Sequence, residues 1–120
     1  NYEELQDELI DRFGEYPDVV AYLLEIGLAK AYLDKVFVNR VERRNNKLVI
    51  QFEKISQQLF LTQDYFQALS QTNLKANISE NQGLIEVVFD IRNKKDYEIL
   101  EGLLTFGESL AKIKESKESH

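Results

Sequence analysis

At Val36 the spacing of apolar residues along the chain changes, and that change limits the folds open to it. Before Val36 they recur at steps of three and four; beyond it, in two stretches, they alternate. The first spacing builds one stripe of a helix, the second one face of a strand. A chain that carries both must bury helices against a sheet.

The alternating stretches come in pairs. VFVNRVERR and KLVIQFE flank Asn45-Asn46, and Asn tolerates the positive φ that a two-residue hairpin turn demands. Leu48, Ile50 and Phe52 then share one face, with Lys47, Val49, Gln51 and Glu53 on the other. LKANIS and LIEVVFDI, joined by ENQG, repeat the arrangement. Leu74, Ala76 and Ile78 form one side of the first run; Ile85, Val87, Phe89 and Ile91 form one side of the second, opposite Glu86, Val88 and Asp90. Hairpins with one apolar and one largely polar face predict an antiparallel sheet covered by helices on a single side.

The helices are punctuated by their ends. Tyr2, Leu5, Leu9 and Phe13 form an amphipathic stripe, Gly14 supplies a left-handed cap, and Pro17 fits the first turn of the next helix. That second helix, to about residue 34, is apolar around most of its circumference, which predicts a deeply packed, central position. A short helix is expected from Thr62, as N-cap, through Leu69. Ile99, Leu103, Phe106, Leu110 and Ile113 mark a last helix over about 94–115, roughly 33 Å long, with SKESH fraying beyond it. The whole is an α+β, two-layer domain: an antiparallel sheet from two hairpins, helices mainly on one face, two N-terminal helices and a long C-terminal one. At 120 residues it fits one domain over 1–120.

Composition removes several kinds of chemistry. There is no cysteine and one histidine, His120, so disulfides, thiolate catalysis and zinc binding are all without residues to support them. No apolar run is long enough for a membrane span; an intracellular, cytoplasmic protein is expected. Methionine is missing even at position 1, which predicts a fragment excised from a longer polypeptide, its last domain. GxxxxGK[ST], GxGxxG, GxSxG and HExxH do not occur, and no acid pair is flanked by the apolar residues that raise a carboxyl pKa. The chain is expected to be non-catalytic and to need no cofactor. A small carboxylate hydrolase would require a concave apolar pocket enclosing at least two acids.

Charge is unevenly placed. The net charge is −6, and residues 1 to 18 hold seven acids against Arg12 alone, whereas residues 19 to 120 balance 14 acids with 14 bases. At 100° per residue Glu4, Glu8 and Asp11 form one ridge of the first helix, with Arg12 at its edge. Solvated acids with a Glu8–Arg12 pair explain it at about 0.2–0.5 kcal/mol. Asp11, however, sits in the last turn, where the helix dipole disfavours an acid by about 0.3–1 kcal/mol. On chemistry alone, a solvated face and a recognition surface account for the ridge equally. Arg40, Arg43, Arg44 and Lys47 around the first hairpin turn are the alternative site, for nucleic acid. Glu42 in their midst and the lack of an aromatic in the turn favour a solvated tip.

The run ELIDRFGEYP, residues 8 to 17, resembles the ELxDRFG-x-x-P signature that opens the C-terminal domain of bacterial transcription-repair coupling factor (the Mfd, or TRCF, family). The likeness is strongest over residues 1 to about 35; beyond them it rests on element order and length. The resemblance implies part of an ATP-driven DNA translocase that couples stalled transcription to nucleotide-excision repair, with its motor, DNA and RNA polymerase contacts in other domains. It implies that this domain is autoinhibitory, packing on a UvrB-like module of the parent protein and covering the surface that UvrA binds. The signature residues that make that contact correspond to Glu8, Asp11 and Arg12; Leu9 and Phe13 belong to the domain's own core and Gly14 to the cap.

Overall fold

The computed structural model describes residues 17–119. The helix expected over residues 2–13, its stop at Gly14 and the ridge residues Glu8, Asp11 and Arg12 lie outside the described residues. The elements run α1 (Pro17–Lys35), β1 (Val38–Arg44), β2 (Lys47–Phe52), α2 (Ser56–Leu59), α3 (Thr62–Leu69), β3 (Lys75–Asn81), β4 (Leu84–Asp90) and α4 (Asp96–Glu118). The four strands form one antiparallel sheet in the order β1-β2-β4-β3. Each hairpin contributes one central strand, and the two central strands pair with each other.

Strand alternation places the apolar side chains as expected. Leu48, Ile50 and Phe52 from β2, and Val87 and Phe89 from β4, are buried on one face. There they meet Phe106 and Leu110 of α4 and Tyr65 and Ala68 of α3 in one continuous core. Phe52, Phe89 and Phe106 pack edge to face, and Tyr65 packs the same way on both Phe52 and Phe60. The sheet-and-helix layering is therefore the expected α+β architecture.

Several boundaries differ from the expectation, each for a local reason. The chain leaves α1 through Val36, whose N–H donates back to the Tyr32 carbonyl, and Phe37, whose φ is +66°. Val36 is fully buried under the helix end, so β1 begins two residues later than the apolar run. The first hairpin turns at Asn45, with φ +54°. In the second hairpin β3 continues through Glu80 and Asn81, and the turn is the dipeptide Gln82-Gly83, both at positive φ. That is the backbone of the tight turn whose twist matches the flanking strands. ENQG is thus half strand and half turn.

Thr62 is the first residue of α3 rather than its cap. Leu61 holds the cap position, and its orphan N–H donates to the Asp64 carboxylate at 2.8 Å. Residues 56–59 add a single turn that no period announced. At the C-terminus α4 runs to Glu118, with Ser119 donating to the Glu115 carbonyl; the expected fraying begins no earlier than that. Lys117 on this last turn reaches Asp64 at 3.0 Å and ties the end to α3.

The expectation that the helix after Pro17 lies at the centre is corrected. Among the side chains of α1 whose burial is described, only Ala29 and Leu33 are fully buried, Tyr22, Leu24 and Ile26 are half-buried, and Leu23 is 61% exposed. The helix packs along α4 and meets the sheet chiefly at β1. Gly107 allows that contact, since a Cβ there would lie 3.1 Å from Cβ of Tyr32. The central helix is α4.

Tyr65 supplies a pH-dependent term. It is 2% exposed, its hydroxyl donates to Ser56 Oγ at 3.1 Å, and burial raises its pKa above the usual tyrosine value. As pH rises past about 10 the unfolded chain loses this proton first, so the folded state holds more protons and stability falls. Chemical denaturation across that range should show a declining midpoint, and Tyr65→Phe should remove part of the decline. An identical slope in the variant would deny Tyr65 this role.

Candidate partner-binding surfaces

The basic first hairpin is divided between two faces of the sheet. Arg40, Glu42 and Arg44 pair with Gln51, Val49 and Lys47, which places them on the face away from the helices. Arg43 pairs with buried Leu48 and lies on the helix side, where its Nη1 donates to Oδ1 of Asp96 at 3.3 Å. The four cations read from the sequence as one site are not one site.

Their charge is also partly spent. Arg44 Nη2 donates to Glu42 Oε2 at 2.9 Å, and Arg40 Nε stands 3.9 Å from the same oxygen. The Arg44 hydrogen bond, with the charges of Arg44 and Arg40 behind it, holds the Glu42 carboxyl below its usual range. Lys47 enters no ion pair among the described residues. Beside this group runs a chain of amides. Asn39 Nδ2 donates to Gln51 Oε1 at 2.7 Å, Gln51 Nε2 donates to Glu86 Oε2 at 3.0 Å, and Asn81 Nδ2 donates to the same carboxylate at 3.4 Å. It crosses all four strands and stiffens the polar face.

On the opposite side α1, β1 and the start of α4 enclose an open groove. Tyr22, Ile26 and Leu33 form one wall, Val41 the floor, and Ile99 and Leu103 the other wall. Among the described residues its single carboxylate is Asp96, the one engaged by Arg43; they do not assemble there the pair of enclosed acids that hydrolysis would need. Among the described residues no group of three or more His, Cys, Asp or Glu side chains is placed to hold a metal ion. Nor is any described helix long and apolar enough to cross a membrane.

Taken together, these elements define a small α+β module whose surfaces are a divided basic hairpin, a polar sheet face and an apolar groove. The chain belongs to the TRCF domain family: the model of that domain matches residues 1–61. Among solved structures it is similar to the crystal structure of the C-terminal domain of transcription-repair coupling factor. The two are 79% identical with a TM-score of 0.90, over 96% of this chain and 71% of that one. A search of curated proteins found no match.

Proposed function

We propose that this domain is a non-catalytic autoinhibitory module of a transcription-repair coupling factor. It holds the UvrB-like module of its parent protein and masks the surface used by UvrA. The observation that carries the reading is the family match, which spans residues 1–61 and so includes the signature ELIDRFGEYP. The uneven charge supports it, because the entire net charge of −6 resides in residues 1 to 18. Glu8 and Asp11 are assigned to arginines of the partner, where carboxylates make bidentate, charge-assisted hydrogen bonds, and Arg12 is assigned to an acid.

A contact of this kind suits a cover that must open. Charge-rich intramolecular interfaces separate more readily than apolar ones, and solvent-accessible pairs weaken as salt rises. Tethering raises the effective concentration of the two surfaces, so modest intrinsic affinity suffices. Recruitment of UvrA by the parent protein, measured with and without this domain, is the test. Recruitment should rise when the domain is removed; equal recruitment would eliminate the masking role.

A further inference from the structure

The polar face of the sheet is not covered by any helix among the described residues, and one end of it is rich in cations. The register aligns Arg44, Lys47, Asp90 and Lys75 in a single row, one residue from each strand: Arg44 opposite Lys47, Lys47 opposite Asp90, Asp90 opposite Lys75. With strands about 4.8 Å apart, the row is about 15 Å long. Arg92 extends it, two positions beyond Asp90 with buried Ile91 between them. Lys47, Lys75, Asp90 and Arg92 line one shallow depression. The Arg92 backbone N–H donates to Asp90 Oδ1 at 3.0 Å, which fixes the carboxylate at the centre. None of Lys47, Lys75 and Arg92 forms an ion pair among the described residues. Three cations that no described acid pairs with thus surround Asp90, beside the Arg44–Glu42 pair, in a molecule of net charge −6.

We propose that this end of the sheet binds the phosphate backbone of duplex DNA without reading its sequence. The character of the face selects that partner. Protein partners are held by apolar or aromatic anchors at the centre of an interface, and this face offers only half-buried Val49, Val88 and, at the far end from the cations, Leu84 among polar side chains. Single strands are held by bases stacked on aromatic rings, and none of the outward-facing positions of the four strands is aromatic. A duplex backbone needs neither; it is bound by charge and released counterions. The row neutralises about three phosphates, and the acid excess in residues 1 to 18 opposes approach, which places binding in the weak, non-specific range of about 1–100 μM.

Fluorescence anisotropy of a labelled duplex titrated with the full chain, from about 50 to about 200 mM salt, tests this. Saturable binding is expected, with log affinity falling against log salt at a slope of about −3. Combined Lys47→Gln, Lys75→Gln and Arg92→Gln should weaken binding at least about tenfold and flatten the slope by about one per residue. Single Lys75→Gln should flatten it by about one, while Arg43→Gln on the other face should leave it unchanged. The proposal is overturned by no saturable binding at the lowest salt, by an Arg43→Gln loss equal to that of Lys75→Gln, or by tighter binding to duplex RNA. Displacement of the duplex by polyglutamate at equal charge would assign the row to an acidic protein and overturn it as well.

Discussion

Phe106→Ala is expected to lower the unfolding free energy by about 3–5 kcal/mol, a large part of the roughly 5–15 kcal/mol that holds an ordinary domain together. Phe106 is fully buried and is the side chain by which α4 reaches both central strands. Its ring centroid lies 6.2 Å from that of Phe52 on β2 and 5.5 Å from that of Phe89 on β4, both edge to face. Such pairs add about 0.5–1.5 kcal/mol each beyond the burial of their surface. The cost depends on whether α4 can settle into the space left behind. Two glycines show that it is already close on its other sides: a Cβ at Gly102 would collide with Leu74 Cδ1, and one at Gly107 would lie 3.1 Å from Tyr32 Cβ. A settled helix would have to drag Leu74 and α1 with it, so most of the cavity persists. Urea unfolding would measure the loss. A change below about 1 kcal/mol would mean that the helical layer does collapse and that the close approaches do not hold it.

That core is legible in the sequence because strand alternation and helical spacing act at short range. A residue two positions away on a strand, or three or four on a helix, keeps its face whatever the fold. Leu48, Ile50, Phe52, Val87, Phe89 and Phe106 were all found in this way. What escaped was set at longer range or by a single residue's backbone. Phe37 at positive φ shortens β1, and nothing in an aromatic side chain announces a left-handed conformation, which glycine and asparagine adopt far more easily. The α3 cap comes from Asp64, three residues into the helix, rather than from Thr62 at its start. The burial of the helix after Pro17 was overstated because its circumference is apolar, yet composition does not tell which neighbours arrive to cover it.

The surfaces divide in the same manner. Arg40, Arg43, Arg44 and Lys47 are neighbours in the chain, but strand alternation sends Arg43 to the face opposite Arg44. Lys75 and Arg92 could not be added to Lys47 without the strand order, since only the pairing of β2 and β3 on either side of β4 brings residues 47, 75 and 92 together. For Glu8, Asp11 and Arg12 the basis remains the signature and the charge of residues 1 to 18, which lie within the stretch matched by the family model.

Reversing that charge is the second change of large expected effect. Titration of the UvrB-like module with the full chain should show that Glu8→Lys or Asp11→Lys weakens binding by about 2 kcal/mol or more, close to thirtyfold. Two losses combine in such a variant: the partner's arginine keeps its desolvation without a carboxylate, and a new ammonium stands against it. Arg12→Glu should act in the same direction by leaving an acid of the partner unpaired. If the pairs are accessible to water, raising salt should narrow the gap between parent and variants, since screening removes attraction and repulsion alike. Glu108→Lys serves as the comparison. Glu108 lies on α4 within reach of Lys112 at 3.0 Å, an exposed pair of the kind worth little, and its reversal should leave affinity unchanged. Reversal of an arginine in the UvrB-like module should restore binding to the lysine variants if the two side chains meet directly. Equal affinity across the parent chain and all three signature variants would remove Glu8, Asp11 and Arg12 from the contact, whereas a loss shared equally by Glu108→Lys would reduce the contact to overall charge.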